Sequence, residues 1–517
     1  MKGRLVNEVV FFGMALGCAV LSTSSISHAQ RLDSIKINLE TAAAVSNQNY
    51  LPQWLVANRF GKFEDQSPNS YLMAGIHSPY LNKGNWDFAW GIDLLANSEI
   101  SESRIHQGYA KVRYQIVELS VGWIERTVGV YRPDLSTGSW GISRNARPLP
   151  SVIISVPEYT PVPFTKGYLE FKGHIGHSWL EEDRYISEPW IHEKSFYLQG
   201  KGKSYPLNVY FGVLHFAQWA GTRPGRQLDN KLPDYWRVVT GQRSRTSAGG
   251  GDFVNALGNH IGSLEFGFDL PIPSGTLSFY HQDPFEDKLG ITRYWFYDQI
   301  SGLSWQRPEG KFIQEVLYEF TYSKHQGGPG IPDPLPGNDP NDLSLNYGYR
   351  YGGRDDYYNN FLYQSGWTFH GRSLGTPLFL DRYRAERTGV NIPNYGEGFI
   401  SNRIIAHHAA ISGNYQNVKF TWLTTYTRHS GTYAGLNGGR FRWGSRESDF
   451  DHENYFFFEP KNQISLLLEV SRAILPNRQL HATAALGGDF GNLYRAFGLF
   501  LRLRWNLHPF SKSMIAE

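Results

Sequence analysis

Between residues 144 and 219 the chain gathers side chains suited to holding polyhydroxylated ligands. Arg144, Asn145 and Arg147 stand together ahead of a proline-limited turn, and Lys166, His174, His177, Trp179, Asp183, Arg184, His192, Lys194, His215, Gln218 and Trp219 follow. A tryptophan ring offers a flat face on which the C–H side of a sugar can stack, while amide, guanidinium and carboxylate groups offer rigid partners for hydroxyls. Arginine also grips a carboxylate through two parallel N–H donors, so an acidic polysaccharide is within reach of this set. Structural roles compete for the same residues. Trp179 and Trp219 suit an interfacial aromatic belt. His174 falls on the polar side of an alternating stretch, where a lumen hydrogen-bond network would use it. Arg144 and Arg147 could pair with Glu158 or Asp183 and so fix a plug segment.

Catalytic arrangements are weaker. Glu181, Glu182 and Asp183 could supply the two acids of glycoside cleavage. Three consecutive acids at a strand end are more simply a solvated turn. His174, His177 and His192 could bind a metal, but the i, i+3 spacing puts His174 and His177 on opposite faces of a strand. No serine elbow or phosphate-binding loop occurs. The expectation is a protein without catalytic residues, metal or cofactor.

The elements that must position these residues show period-two alternation. Trp86, Phe88, Trp90, Ile92 and Leu94 share one face, and Asp87, Ala89, Gly91 and Asp93 the other. Tyr109 to Ile124 continues the pattern over a length suited to one spanning strand with an extension. Tyr168–His177, Phe312–Tyr322, Val418–Tyr426 and Ile464–Val470 repeat it. In the last such stretch Phe497, Leu499, Leu501, Leu503 and Trp505 oppose Gly498, Arg502 and Arg504. Arginines on one face fit a wet lumen and would be costly facing lipid. This stretch also resembles the C-terminal assembly signal of outer-membrane barrels, although a tail follows it.

Composition agrees. Aromatic residues make up 15% of the 517 residues, Gly numbers 54, and the net charge of +3 makes no case for nucleic-acid binding. Mean hydropathy is −0.41, and no later run is apolar enough for a transmembrane helix. The expected fold is all-β: a transmembrane antiparallel β-barrel with an even count of about 16–20 strands, about 18 being favoured, and a small helical or plug element near the N-terminus. Residues 1–29 read as a signal peptide, with Lys2 and Arg4, an apolar Val9–Val20 and a cleavage site after Ala29. A lipoprotein box ending at Cys18, the only cysteine, competes with it. Cleavage after Ala29 leaves no thiol for a disulfide or a cysteine metal site. Residues 30–63 are expected to form an N-terminal periplasmic or helical element, 64–510 the barrel with extracellular loops, and 511–517 a tail. Long Gly, Pro and Asp-rich connections, Gly241–Asp252 and Gly327–Asp342, belong outside. Pro148, Pro150, Pro157, Pro161 and Pro163 mark irregular backbone between strands, which at membrane depth must line a constriction or be buried in protein.

Residues 136–184 stand apart and read STGSWGISRNARPLPSVIISVPEYTPVPFTKGYLEFKGHIGHSWLEEDR; His192–Lys194, His215–Gly221 and the block LVANRFG at Leu55–Gly61 complete an ordered set. This set resembles the Wzi family of capsule-assembly proteins in its Bacteroidetes-type form, over most of the mature chain. The resemblance implies an outer-membrane barrel with a helical element at its periplasmic end. It further implies a monomeric lectin that helps fix capsular or exopolysaccharide to the cell surface. A diffusion porin or sugar channel is the alternative that a barrel of this size leaves open.

Overall fold

The computed structural model describes residues 34–82, 84–203, 205–246, 256–286, 297–307, 312–326, 355–392, 398–436, 455–475 and 479–507. Residues 1–29 expected as a signal peptide, the 511–517 tail, Gly327–Asp342 and the second half of Gly241–Asp252 lie outside them.

Among the described residues, eighteen strands form a single antiparallel sheet. They are β1 (36–46), β2 (69–78), β3 (86–97), β4 (104–114), β5 (117–123), β6 (150–161), β7 (169–179), β8 (190–201) and β9 (208–219), followed by β10 (259–272), β11 (275–285), β12 (299–306), β13 (313–322), β14 (404–415), β15 (418–429), β16 (461–473), β17 (480–491) and β18 (496–507). Strand β18 pairs with β1 from Leu507 opposite Ile37 to Gly498 opposite Ser46, which closes the sheet into a barrel. Closure satisfies every strand edge, as a hydrocarbon environment requires.

Alternation assigns the two faces. On β18, Phe497, Leu499, Leu501, Leu503 and Trp505 are exposed on the outside, and Phe500 is fully buried within. On β3, Trp86 and Leu94 face out, while Asp87, Ala89 and Asp93 are buried inside. Leu72 on β2, Phe196 on β8, Leu303 on β12 and Trp422 on β15 extend the exposed apolar surface around the wall. An apolar exterior over a polar, packed interior is the inverse of a soluble protein and defines a membrane barrel.

Connections are short at one end and long at the other. Gln416 and Asn417, at φ of 49° and 66°, turn the chain tightly from β14 to β15. Two successive positive φ values match the right-handed twist of the strands they join. The long connections, 47–68, 124–149, 220–258 and 323–403, all leave the opposite end. Short turns mark the periplasmic end of such barrels and long loops the outer one.

Three expectations are corrected. Tyr109 to Ile124 is not one long strand: Gln115, at φ 52°, turns it, and β4 pairs back onto β5 with Tyr114 opposite Val117. Residues 30–63 are not a separate periplasmic element, because β1 is a wall strand. The helix anticipated there is one turn, α1 (53–56), with Trp54, Leu55 and Val56 buried inside the barrel. Finally, residues 150–161 are a wall strand and not a connection between strands, despite three prolines. Pro150 and Pro161 end it, and Pro157 falls in the irregularity where pairing with β7 slips between Val156 and Thr160. At those positions no ladder donor is lost.

A charge on the lipid side tests this assignment. Leu501→Arg should cost about 2–4 kcal/mol near the bilayer midplane, whereas Arg504→Gln on the inner face should stay within about 0.5 kcal/mol. Reversible denaturant unfolding in phospholipid bilayers measures both; equal costs would invert the wall.

Candidate functional site

The β5–β6 connection, 124–149, turns into the lumen. Its serine, glycine and threonine content gives it little core of its own, so it needs anchors on the wall. Buried carboxylates provide them. Glu193 on β8 receives Arg126 at 2.7 and 2.9 Å. Glu265 on β10 accepts the Val130 N–H at 2.9 Å and the Tyr197 hydroxyl at 2.8 Å. Glu319 on β13 accepts the Ser136 hydroxyl at 2.6 Å and the Thr137 N–H at 3.0 Å, together with the Thr137 and Tyr280 hydroxyls. Residues 47–68 are held alike: Arg59 meets Glu469 on β16 at 2.8 Å, and Asp489 on β17 accepts the Gln53 N–H at 2.8 Å. A buried carboxylate is tolerable only when its lone pairs are filled, and each of these fills them with plug donors or neighbouring side chains.

An aromatic centre packs between the anchors. Trp140 lies 4.8 Å from Tyr357, 4.9 Å from Tyr358 and 5.7 Å from Phe379, ring to ring. The Trp367 indole donates to the Gly141 carbonyl at 2.7 Å. A Cβ on Gly141 would overlap the Phe216 ring of β9, so only glycine lets the loop lie against that strand. Segment 355–392 therefore enters the lumen from the long-loop end and packs on 124–149. Its charges are paired: Arg372 with Asp65 at 3.1 Å, and Arg384 with Asp65 and Asp489 at 3.5 Å each. Asp381 caps α3 (382–388) by accepting the Arg384 N–H at 2.7 Å. The helix α2 (232–240), from the connection after β9, does not enter the lumen. Burial, joined by the Asp65 charge, outweighs the donors around Asp381 and pushes its carboxyl up to about 7.

Below this plug, at the short-turn end, a cavity of about 460 Å³ remains, lined by Lys36, Lys62, His77, Asp93, Glu125 and Arg504 among others. Glu125 accepts from Lys62 at 2.9 Å and from His106 at 2.8 Å. Burial alone would raise its pKa, but those two partners prevail and hold it at about 2.

The residues singled out in the sequence do not form one site. Arg144, Asn145 and Arg147 belong to the plug, as one of their alternative roles anticipated, but with other partners. Arg144 pairs with Asp134 at 2.5 Å and Arg147 with Glu102 at 2.7 Å, while Glu158 and Asp183 are both exposed elsewhere. Asn145 donates to the Ser373 carbonyl at 3.0 Å. His174 and Gln218 face the lumen, His174 meeting Ser195 at 2.7 Å and Glu193 at 3.5 Å. Lys166 is exposed in the β6–β7 turn, at the opposite end from the plug's entry. Trp179, His192, Lys194, His215 and Trp219 share strand parity with the exposed Phe196 and Phe211 and so lie on the outer wall. His174 and His177 do fall on opposite faces, and among the described residues no group of three or more His, Cys, Asp or Glu is placed to hold a metal.

Asp183 and Arg184 sit on the β7–β8 loop at the outer end. Arg184 donates to the Gly366 and Thr368 carbonyls at 2.9 Å each and to Glu181 at 3.2 Å, and the Tyr185 N–H donates to the Ser365 hydroxyl at 3.0 Å. Glu181 also accepts the His370 N–H at 3.1 Å, so its carboxylate is committed to structure. Docking the loop on the plug leaves the rings of Tyr185 and Phe361 and the Asp183 carboxylate exposed. Exposed aromatic faces and an exposed carboxylate on one docked loop pair are the kinds of group that stack and hydrogen-bond a sugar. Neither aromatic was singled out in the sequence, because both lie in irregular backbone without a period. Glu319 was legible only as a polar-face position in its strand.

A closed barrel, apolar outside and carrying its own loops packed within, is an outer-membrane β-barrel. The chain belongs to the capsule assembly protein Wzi family, whose profile matches residues 22–329. It is similar in fold to Escherichia coli Wzi, described as an outer-membrane protein involved in group 1 capsule assembly and a carbohydrate-binding β-barrel. The TM-score is 0.54 at 13% identity, over 94% of this chain and 90% of that one. Pseudomonas aeruginosa OccD3 (OpdP) gives a TM-score of 0.43 at 8% identity, over 92% and 91% of the two chains. Pseudomonas aeruginosa OccK10 (OpdN) gives 0.42 at 10% identity, over 92% and 98%. No curated protein sequence matches the chain.

The Glu125 cluster makes stability depend on acid. A carboxylate held at about 2 when folded and near 4.5 when unfolded contributes fully above pH 4.5 and loses its contribution as pH falls toward 2. Glu125→Gln should be less stable than the parent at pH 6 and converge on it only as the pH falls to about 2 in thermal unfolding. A constant difference across that range would separate Glu125 from the acid response.

Proposed function

We propose that this barrel is a non-catalytic, lectin-like monomer that holds capsular or exopolysaccharide at the cell surface through its outer face. The observation that carries the proposal is the plug itself. It fills the lumen from the outer end and presents Tyr185, Phe361 and Asp183 on a base fixed by Arg184. Membership of a capsule assembly family supports the same role, as does the carbohydrate binding stated for the Escherichia coli protein of like fold. Phe60, Asn58 and Gly61, all at positive φ, bend the LVANRFG block back under the plug and give that block a structural reason for its composition. The porin alternative needs a continuous water path, and the anchored 124–149 and 355–392 segments stand across it.

Purified full-length protein in planar bilayers, with and without polysaccharide from its own host, tests the proposal. The expected result is electrical silence, saturable polymer binding and no released fragments. Steady large conductance would promote the porin, and released oligosaccharides the enzyme. Tyr185→Ala with Phe361→Ala should weaken binding by about tenfold, since each stacked ring contributes about 0.5–1.5 kcal/mol. Unchanged binding would move the glycan site off this face. Cells lacking the protein should still make polymer but shed more of it into the medium; absent polymer would contradict a retention role.

A further inference from the structure

The outer wall carries a feature that a lipid-facing strand surface does not need. Helix α2 lies flat against the outside of β7 to β10. Val238 is buried with Ala217, Trp219, Ala220 and Leu257, of which Ala217 and Trp219 are outward positions of β9. Tyr235 reaches over His192 at 5.4 Å and Trp219 at 5.9 Å, ring to ring, and the Lys194 ammonium donates to the Val239 carbonyl. The helix thus covers a polar, histidine-bearing patch of wall just beyond the exposed Phe196 and Phe211, on the side of the long loops.

Its other face points away from the barrel. Leu232 and Trp236, one turn apart, are 71% and 56% exposed. Around them charge has one sign: residues 220–246 hold six Arg or Lys and two Asp. Both acids are occupied locally. Asp234 accepts the Lys231 N–H at 3.0 Å, and Asp229 accepts the Thr246 hydroxyl at 2.7 Å and the Ser244 hydroxyl. Arg223, Lys231, Arg243 and Arg245 are exposed.

We propose that α2 and its flanking loops are a docking platform for the phosphorylated headgroup of an outer-leaflet glycolipid. Two observations favour that occupant. The platform is continuous with the lipid-facing wall, so a Trp and a Leu at this height enter the headgroup and acyl boundary. The surrounding charge is cationic, which complements phosphate at a membrane surface. An interfacial helix needs both features together, and an isolated apolar patch or basic loop would supply only one. The platform borders the outer face assigned above to polysaccharide, since Leu228 packs with Ile186 and Leu362 and Thr222 pairs with Ser187, but neither proposal rests on the other.

The test uses the full chain in detergent micelles, with bisphosphorylated lipid A and its enzymatically dephosphorylated form as probes and native mass spectrometry as readout. Bisphosphorylated lipid A should bind the parent at least about tenfold more tightly than the dephosphorylated form. The variant Arg223→Gln, Lys231→Gln, Arg243→Gln, Arg245→Gln should lose that preference, and heat-modifiable gel mobility should confirm an intact barrel. Leu232→Ser with Trp236→Ser should weaken both lipids. Equal affinity of the parent for the two lipids would overturn the proposal, as would a charge variant that keeps the preference. So would a parent dimer that the Leu232, Trp236 variant dissolves, since the platform would then seat a second copy. Complete displacement of lipid A by an equal concentration of inorganic phosphate would also overturn it, by reducing the site to a simple anion site.

Discussion

Buried carboxylates on the barrel wall are the constraint from which the interior follows. Glu193, Glu265, Glu319 and Asp489, from four strands, point inward and are wholly removed from bulk water, and Glu469, from a fifth, is mostly covered. Charge in such surroundings is costly unless donors surround it. The plug supplies those donors as backbone N–H groups, hydroxyls and the guanidinium groups of Arg59, Arg126 and Arg384. Wall and plug therefore complete each other: the plug replaces the water that would otherwise solvate these carboxylates, and the plug without the wall would lack anchors. Trp140 and its aromatic neighbours then fill the remaining space, and the outer face inherits its rigidity from that packing.

Strand parity governs what the sequence could disclose. The barrel was legible because Phe497 to Trp505 and Trp86 to Leu94 alternate without interruption, and a two-residue period has one structural meaning at that length. The same parity hid the site. Gln218 and Trp219 are adjacent in sequence yet lie on opposite sides of the wall, and His174 and His177 part in the same way. A cluster along a strand is thus half a lumen surface and half a lipid surface. The β4–β5 turn was missed because Gln115 and Ile116 extend the polar and apolar alternation through the reversal. Tyr185 and Phe361 lie in irregular backbone, where only tertiary contacts decide exposure.

Family membership and fold agree with this physical account. A wall that grips its own loops makes a barrel whose interior contacts are structural. The two ends then differ in kind. The outer end carries exposed aromatic faces; the inner end is a polar vestibule in which Lys62 meets Glu125 and His77 meets Asp93. Segments 124–149 and 355–392 lie between the two ends, packed on each other and on the wall.

The seam between β1 and β18 has a consequence for the order of assembly. The first wall strand waits for the last one, and every connection that fills the lumen lies between them in the chain. Each plug segment is tethered at both ends when the seam closes, so none can enter end-first; it folds in as a doubled loop, either while the sheet is still an open ribbon or through the outer mouth. Each segment is therefore retained covalently by two neighbouring wall strands, and the final strand completes a cylinder that cannot shed its contents.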